Sequence, residues 1–222
     1  MFSIMIPMTP ISAPTPITGM DLTGFTEREQ GVWTDETGLV LSVHFFPLVP
    51  DLPAPLHEVD RLRHGLARSA ARAGGGLIEA VPGAVDSVPA VRQLVKVPRP
   101  GTEHGLAFLA SWTLPKAACS TVVKVQAAER GTSGMREALV GARVGHENYF
   151  RPHPYGPDVS GGLPYHVADL EEWDAQFPEH PLTLVRGALR RIAPTVVLEE
   201  GFKSLPPFGP PAAPRRPWFR RA

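Results

Sequence analysis

The stretch from residue 146 to residue 180 holds the side chains with the greatest capacity for chemistry. It contains four of the eight histidines and all three tyrosines of the chain. Imidazoles exchange protons near neutral pH, and neighbouring carboxylates or phenols complete many acid–base sites. The sequence therefore suggests a small hydrolase or isomerase as one function. Its candidate catalytic residues are His146, His153, His166, Tyr155, Asp158 and Asp169.

The same stretch also supports a function without catalysis. Its histidines, tyrosines and aspartates do not follow the spacing of a known metal or triad motif, and its prolines favour a rigid strap laid over a scaffold. Amphipathic rings suit such a strap for contact with another protein. The candidate contact residues are Trp173, Tyr149 and Tyr165. Our leading interpretation is a non-catalytic, protein-binding or chaperone-like adaptor, and the small enzyme is the alternative.

A possible metal site lies on the helix that the sequence predicts between residues 55 and 73. His57, Asp60 and His64 stand at positions i, i+3 and i+7, within an arc of about 60° of the helix surface. Three such side chains could face one ion. The arc lies opposite the apolar stripe of the helix, so it faces solvent. We therefore expect neither a metal nor a cofactor.

The segment from residue 129 to residue 137 passes from a predicted strand into a predicted helix. Backbone N–H groups at a helix start can hold an anion, and Arg130 and Arg136 would assist. The segment lacks the Gly-Lys-Ser/Thr of a phosphate-binding loop. Ser133 as the helix cap is the simpler interpretation.

Charge is unevenly distributed along a chain whose formal net charge is zero. Residues 203–222 carry four arginines, one lysine and no acidic residue. Four arginines are few for stable nucleic-acid binding, because that affinity grows with every phosphate neutralised. We expect another protein, rather than nucleic acid, to be the partner. The candidate docking residues of this tail are Arg215, Arg216, Trp218 and Phe219.

Cysteine content and hydropathy bear on the compartment. Cys119 is the single cysteine, so an intrachain disulfide cannot form. The first twenty residues contain no lysine or arginine and are interrupted by prolines, unlike a secretory signal. No apolar run approaches the roughly 18 residues that span a bilayer. We expect a cytoplasmic protein without a membrane span; the preference for arginine over lysine is typical of a GC-rich bacterial genome.

Hydrophobic periodicity predicts the elements that position these residues. Apolar residues alternate over 39–48 and over 106–114, which indicates half-buried strands. Between them, helical spacing predicts one main helix, followed by strands at 77–81 and 88–97 with a turn at Pro82-Gly83. Pro181 opens an amphipathic helix that we expect to face Arg186 outward. The fold class is α+β: an antiparallel sheet of about five to six strands packed by one main helix, with a C-terminal loop-rich helical extension.

Four segments follow from this pattern. Residues 1–24 are expected to be disordered, and residues 25–145 form the α+β core. Residues 146–200 form the His/Tyr/Pro-rich strap and the C-terminal helix. Residues 201–222 form a basic, proline-rich tail.

The order of elements resembles the PsbP-like fold. Two strands, a proline-led helix over 55–73, a glycine-rich exit, the strand Val88-Pro89-Ala90-Val91 onward and a hairpin over 106–126 carry the resemblance. It covers residues 30–130. This family includes photosystem extrinsic subunits, a Ran-binding nuclear-import factor and effector chaperones of bacterial secretion systems. The resemblance implies a protein that binds other proteins and performs no chemistry.

Overall fold

The computed structural model describes residues 9–10, 14–99, 101, 104–131 and 133–209 and confirms the α+β class. A small sheet contains β1 (Thr9–Pro10), β2 (Ile17–Met20) and β10 (Val197–Leu198). A seven-stranded antiparallel sheet contains β3 (Thr26–Glu29), β4 (Val32–Thr34), β5 (Val40–Phe46), β6 (Gly76–Val85), β7 (Val88–Pro98), β8 (Leu106–Pro115) and β9 (Ser120–Ala128). The helices are α1 (Val59–Arg72), α2 (Met135–Val144), α3 (His146–Tyr149), α4 (Pro181–Ile192) and α5 (Glu200–Lys203).

The large sheet has the spatial order β3-β4-β5-β9-β8-β7-β6. Chain neighbours pair as hairpins except between β5 and β6, where α1 carries the chain to the far edge. The last strand of the series, β9, returns to pair with β5 over seven residues. The sheet therefore ends at β3 on one side and at β6 on the other.

Helices cover both faces of this sheet because side chains alternate along each strand. Leu77 of β6 packs with Leu62 and Leu66 of α1 on one face. Ile78 belongs to the cluster on the opposite face, with Leu182 and Leu189 of α4. The expected single main helix thus has a counterpart, and α4 covers the larger core.

The amino-terminal prediction is wrong for residues 17–20. Ile17 and Met20 are almost fully buried, and β2 lies between β1 and β10 in the small sheet. The partner strand is about 180 residues away in sequence, with Val197 opposite Gly19. Pairing over such a separation leaves no local periodicity, so the segment resembles a disordered one. Residues 1–8 and 11–13 lie outside the described residues.

The expected boundary of the tail at residue 201 is also wrong. Phe202 is buried in the main core, and Lys116 donates from Nζ to the carbonyl oxygens of Lys203 and Leu205. Pro207 forms an isolated bridge with Lys116. The chain is therefore held against the β8–β9 hairpin as far as this point. The candidate docking residues Arg215, Arg216, Trp218 and Phe219 lie outside the described residues.

The strand β6 continues through Pro82 and Gly83, where a turn was expected. Proline is tolerated because β6 is an edge strand. On such a strand every second residue points its N–H away from the neighbouring strand, and that N–H is not needed for pairing. The ring of Trp112 lies 2.9 Å from the position that a Cβ on Gly83 would take. The turn instead occurs at Asp86 and Ser87, whose φ angles are 43° and 67°.

Replacing Ser87 by glycine tests this turn. A non-glycine residue at positive φ costs about 1 kcal/mol, so Ser87→Gly is expected to raise the free energy of unfolding by about that amount. Ser69→Gly, in the exposed face of α1, is the control and should lower it by about 0.5 kcal/mol. Urea denaturation measures both values. A loss of stability in Ser87→Gly would contradict the assigned turn.

Candidate functional site

Two of the candidate catalytic residues bind the edge of the sheet. His153 donates from Nε2 to the carbonyl oxygen of Leu77 at 2.9 Å. The hydroxyl of Tyr155 accepts from the N–H of Ala80 at 3.1 Å, and Arg63 of α1 donates to the carbonyl oxygen of Ala80 at 2.8 Å. These bonds occupy backbone groups that an edge strand otherwise presents to other chains. His153 and Tyr155 therefore protect β6, and burial lowers the pKa of His153.

A second pair of candidates, His166 and Asp169, converges on a lysine of the sheet. The Nζ of Lys96 lies 2.6 Å from Asp169 Oδ2 and 3.0 Å from His166 Nε2. The side chains of Lys96, Asp169 and His166 are only 2%, 1% and 8% exposed. Tyr149 stacks on the His166 ring with 4.9 Å between centroids. This triad is thus enclosed between the strap and the sheet, where a substrate does not reach it.

The hydrogen bonds define the state of the His166 ring. The ammonium group of Lys96 can only donate hydrogen bonds. Nε2 of His166 is therefore the acceptor, and the neutral ring carries its hydrogen on Nδ1. That atom is buried and lacks a hydrogen-bond partner, 3.5 Å from Asp169 Oδ2. Burial, together with the charge of Lys96, lowers the pKa of His166 to about 4 although Asp169 opposes the shift.

A neighbouring group of charges connects the strap to α2 and α4. Arg186 of α4 forms ion pairs with Asp174 at 2.7 Å and with Glu79 of β6 at 2.8 Å. Arg136 of α2 bonds the same Asp174 at 2.9 Å and donates to the carbonyl oxygen of Ala168. The prediction that Arg186 faces outward is wrong, because the acidic groups of strap and sheet pair with it under α4.

The remaining contact candidates are mostly internal. Tyr149 and Trp173 are buried in a small core beside Val140, so the prediction that they form a contact surface is wrong. They supply that core because the strap has few aliphatic residues of its own. Tyr165 is half-buried, with its ring 5.6 Å from that of His153, and burial raises its pKa.

The other candidates are dispersed. His146 is exposed on α3, its ring 6.0 Å from that of Phe150. Asp158 lies 3.6 Å from Nε2 of His64, whose Nδ1 bonds the carbonyl oxygen of Tyr155. His64 thus faces the strap, while His57 and Asp60 are exposed. The ligand atoms of His57, Asp60 and His64 do not all lie within 4.8 Å of one another, the distance that a shared metal ion would require here.

A cluster that the sequence did not predict lies where β9, α2 and the end of the strap meet. Glu129, Glu137 and His180 each place one ligand atom within 4.8 Å of the others. Glu129 accepts from the N–H groups of Leu106 and Gly134, both at 2.8 Å. The Glu129 carboxylate takes the Gly134 donor, which argues against the alternative of an anion at this helix start, and the expected Ser133 cap is wrong. Gly134, rather than Ser133, precedes α2.

The pKa values of the two carboxyl groups in this cluster shift in opposite directions. Burial, reinforced by the charge of Glu129, raises the pKa of Glu137. Burial alone would also raise the pKa of Glu129, but the His180 ring and the two backbone donors outweigh it and leave that pKa lowered. The cluster borders a cleft of 510 Å³, whose lining includes Glu129, His180, Phe177 and Leu184. Neighbouring ionisable groups whose pKa values shift in opposite directions are typical of functional sites.

An apolar surface lies at the other end of the molecule, where β5 ends. Phe45, Phe46, Leu48 and Val49, which we call the β5-end surface, are exposed, the last two by 69% and 70%. A groove of 570 Å³ adjoins it, lined by Phe45, Pro16, Phe202, Leu205 and Glu199 among others. Contiguous exposed apolar side chains of this kind are typical of interaction sites.

Comparison of the chain with protein-family models and with curated proteins finds no match in either set. Within the described part of the chain, every helix is too short or too polar to cross a lipid bilayer. Function is therefore inferred from the geometry of the strap and its buried triad, the cluster of Glu129, Glu137 and His180, and the β5-end surface.

The enclosed His166 predicts a specific pH dependence of stability. Its pKa is about 4 in the folded protein and near 6.5 in the unfolded chain, so the unfolded chain binds more protons between these values. Stability should fall by about 3 kcal/mol as the pH drops from 6.5 to 4. Urea denaturation of His166→Gln should lack this part of the loss, and the control His146→Gln should retain it. Equal pH dependence in both variants would contradict the assignment.

Proposed function

We propose that this protein is a cytoplasmic, non-catalytic adaptor that binds an extended apolar segment of another protein at the β5-end surface. The observation that carries the proposal is a stretch of β5, among those exposed side chains, whose β4 side is left unpaired by the described residues. The single, buried Cys119 agrees with a reducing compartment. The resemblance to the PsbP-like fold, whose members bind proteins, supports the same class of function.

The unpaired stretch follows from unequal strand lengths. β4 pairs only with Val40–Ser42, whereas β9 pairs with β5 from Val40 to Phe46. One further bond joins the N–H of Val43 to Gly31 on the β4 side. Backbone groups alternate in direction along a strand, so the N–H and C=O of Phe45 point to that same side. In the described residues, β4 ends before it could bond them.

The two outer edges of the sheet are protected in ways that this stretch is not. All residues of β3 are exposed, and three of the four are Glu27, Arg28 and Glu29. Charged side chains on an edge discourage pairing with other chains. β6 is covered by the side chains of His153, Tyr155 and Arg63. The second half of β5 carries apolar residues instead, which favour the addition of a strand.

The chemistry of the surface defines the partner segment. Phe45 belongs to the face of the sheet that borders the groove, and Phe46 projects to the opposite face, where it stacks near His44. A strand added here would meet apolar contacts on both faces. Glu199 adds an exposed carboxylate to the groove lining. We therefore expect a short extended segment of apolar residues with a basic residue beside it.

Site-specific photocrosslinking in the native host tests this function. A benzoylphenylalanine at Leu48 should crosslink to one other polypeptide, and mass spectrometry should map the adduct to an apolar, extended segment. A synthetic peptide of that segment should then protect the Phe45 amide from hydrogen exchange in the purified protein. Phe46→Asp should abolish both effects without lowering the melting temperature, because the ring is exposed.

The matched control carries the photoreactive residue at Leu139, which is 53% exposed on α2. It should form no such adduct. Equal crosslinking at both positions, or no adduct at Leu48, would contradict the proposal. Adducts only with residues 210–222 or with a second copy of the chain would identify those occupants and contradict an adaptor for other proteins.

A further inference from the structure

The cluster of Glu129, Glu137 and His180 contains two buried polar atoms without partners. Glu137 Oε2 and His180 Nε2 have no hydrogen-bond partner, and the His180 side chain is only 10% exposed. Its Nε2 lies 3.8 Å from Glu129 Oε1, too far for a direct hydrogen bond. More than nine in ten buried polar groups have a partner in folded proteins. Two such atoms within one cluster indicate a site for a missing partner.

The charge of the cluster identifies the missing partner as a cation. Within the described residues, each carboxylate oxygen of Glu129 accepts one backbone hydrogen bond, which leaves each with a lone pair. Glu137 adds a second carboxyl group, and the two repel each other at short range. A cation placed between them removes this repulsion. An ammonium group would satisfy only the carboxylate oxygens, whereas a metal ion can engage both carboxylates and, in the tautomer that frees Nε2 of its hydrogen, the imidazole as well.

We propose that Glu129, Glu137 and His180 bind one divalent transition-metal ion, Zn²⁺ or Mn²⁺. Two carboxylates and one imidazole form a ligand set that both ions accept. Glu129 and His180 border the 510 Å³ cleft, which leaves the remaining coordination position for water or a small ligand. This site is independent of the β5-end surface and of the adaptor function.

Metal binding requires a change in the His180 ring. Its Nδ1 accepts from the N–H of Leu182 at 3.2 Å and caps the start of α4, so the neutral ring carries its hydrogen on Nε2. Coordination at Nε2 requires the other tautomer: Nε2 releases its hydrogen to water and Nδ1 takes one up, so Nδ1 can no longer accept the bond from Leu182. The metal therefore releases the Leu182 amide, which should exchange its hydrogen faster in the bound protein.

The test is titration of the full chain, freed of metal by a chelator, with MnCl₂ and with ZnCl₂ in separate calorimetric experiments. Either ion should bind at one site per chain and raise the melting temperature. Glu137→Gln and His180→Ala should each weaken binding by at least about 100-fold. Glu137→Gln retains the helix cap and keeps the test valid if His180→Ala folds poorly.

The control Glu179→Gln alters an exposed carboxylate that lines the same cleft, and it should bind metal as the wild type does. Exchange of the Leu182 amide, measured by NMR, should rise on metal addition in this control and in the wild type. Absence of one-to-one binding, or equal affinity in Glu137→Gln, would overturn the proposal. Stabilisation by methylammonium but by neither metal would assign an organic cation instead and overturn it as well.

Discussion

The ion pair between Lys96 and Asp169 is the interaction on which the arrangement of the chain depends. It joins β7, the strand beside the edge strand β6, to the strap in a buried setting where each charge, left alone, would cost several kcal/mol. Two neighbouring arginines are paired in a similar way: Arg136 with Asp174 of the strap, and Arg186 with both Asp174 and Glu79 of β6. Cations from three elements, β7, α2 and α4, thus form ion pairs with the strap, and the strap in turn protects β6.

The elements could be predicted from sequence where burial follows a local period. Alternation of apolar residues predicted β5 and β8, and Pro181 marked the start of α4 correctly. Local patterns could not show where charged residues go, because Arg186 resembles any outward arginine until Glu79 and Asp174 are brought beneath it. The strap contains the predicted candidates His166 and Asp169, but Lys96, which decides their role, lies in a strand about 70 residues earlier.

The two regions with functional potential were hidden for different reasons. Glu129 and Glu137 stood in a segment that the sequence singles out, but their partner His180 ends a distant stretch. The β5-end surface follows from the shortness of β4, a property of pairing that no single segment displays. The sheet edges differ: charge protects β3, the strap protects β6, and apolar side chains surround the half of β5 whose β4 side no described strand pairs.

A double-mutant cycle on Lys96 and Asp169 tests the dependence on this ion pair most directly. Lys96→Met and Asp169→Asn should each lower the free energy of unfolding by about 3–5 kcal/mol, because each leaves one buried charge alone. The double variant should lose less than the sum of the two losses, with a coupling free energy of about 2 kcal/mol or more. Additive losses would show that the two residues act independently, and would contradict a strap held to the sheet by this pair.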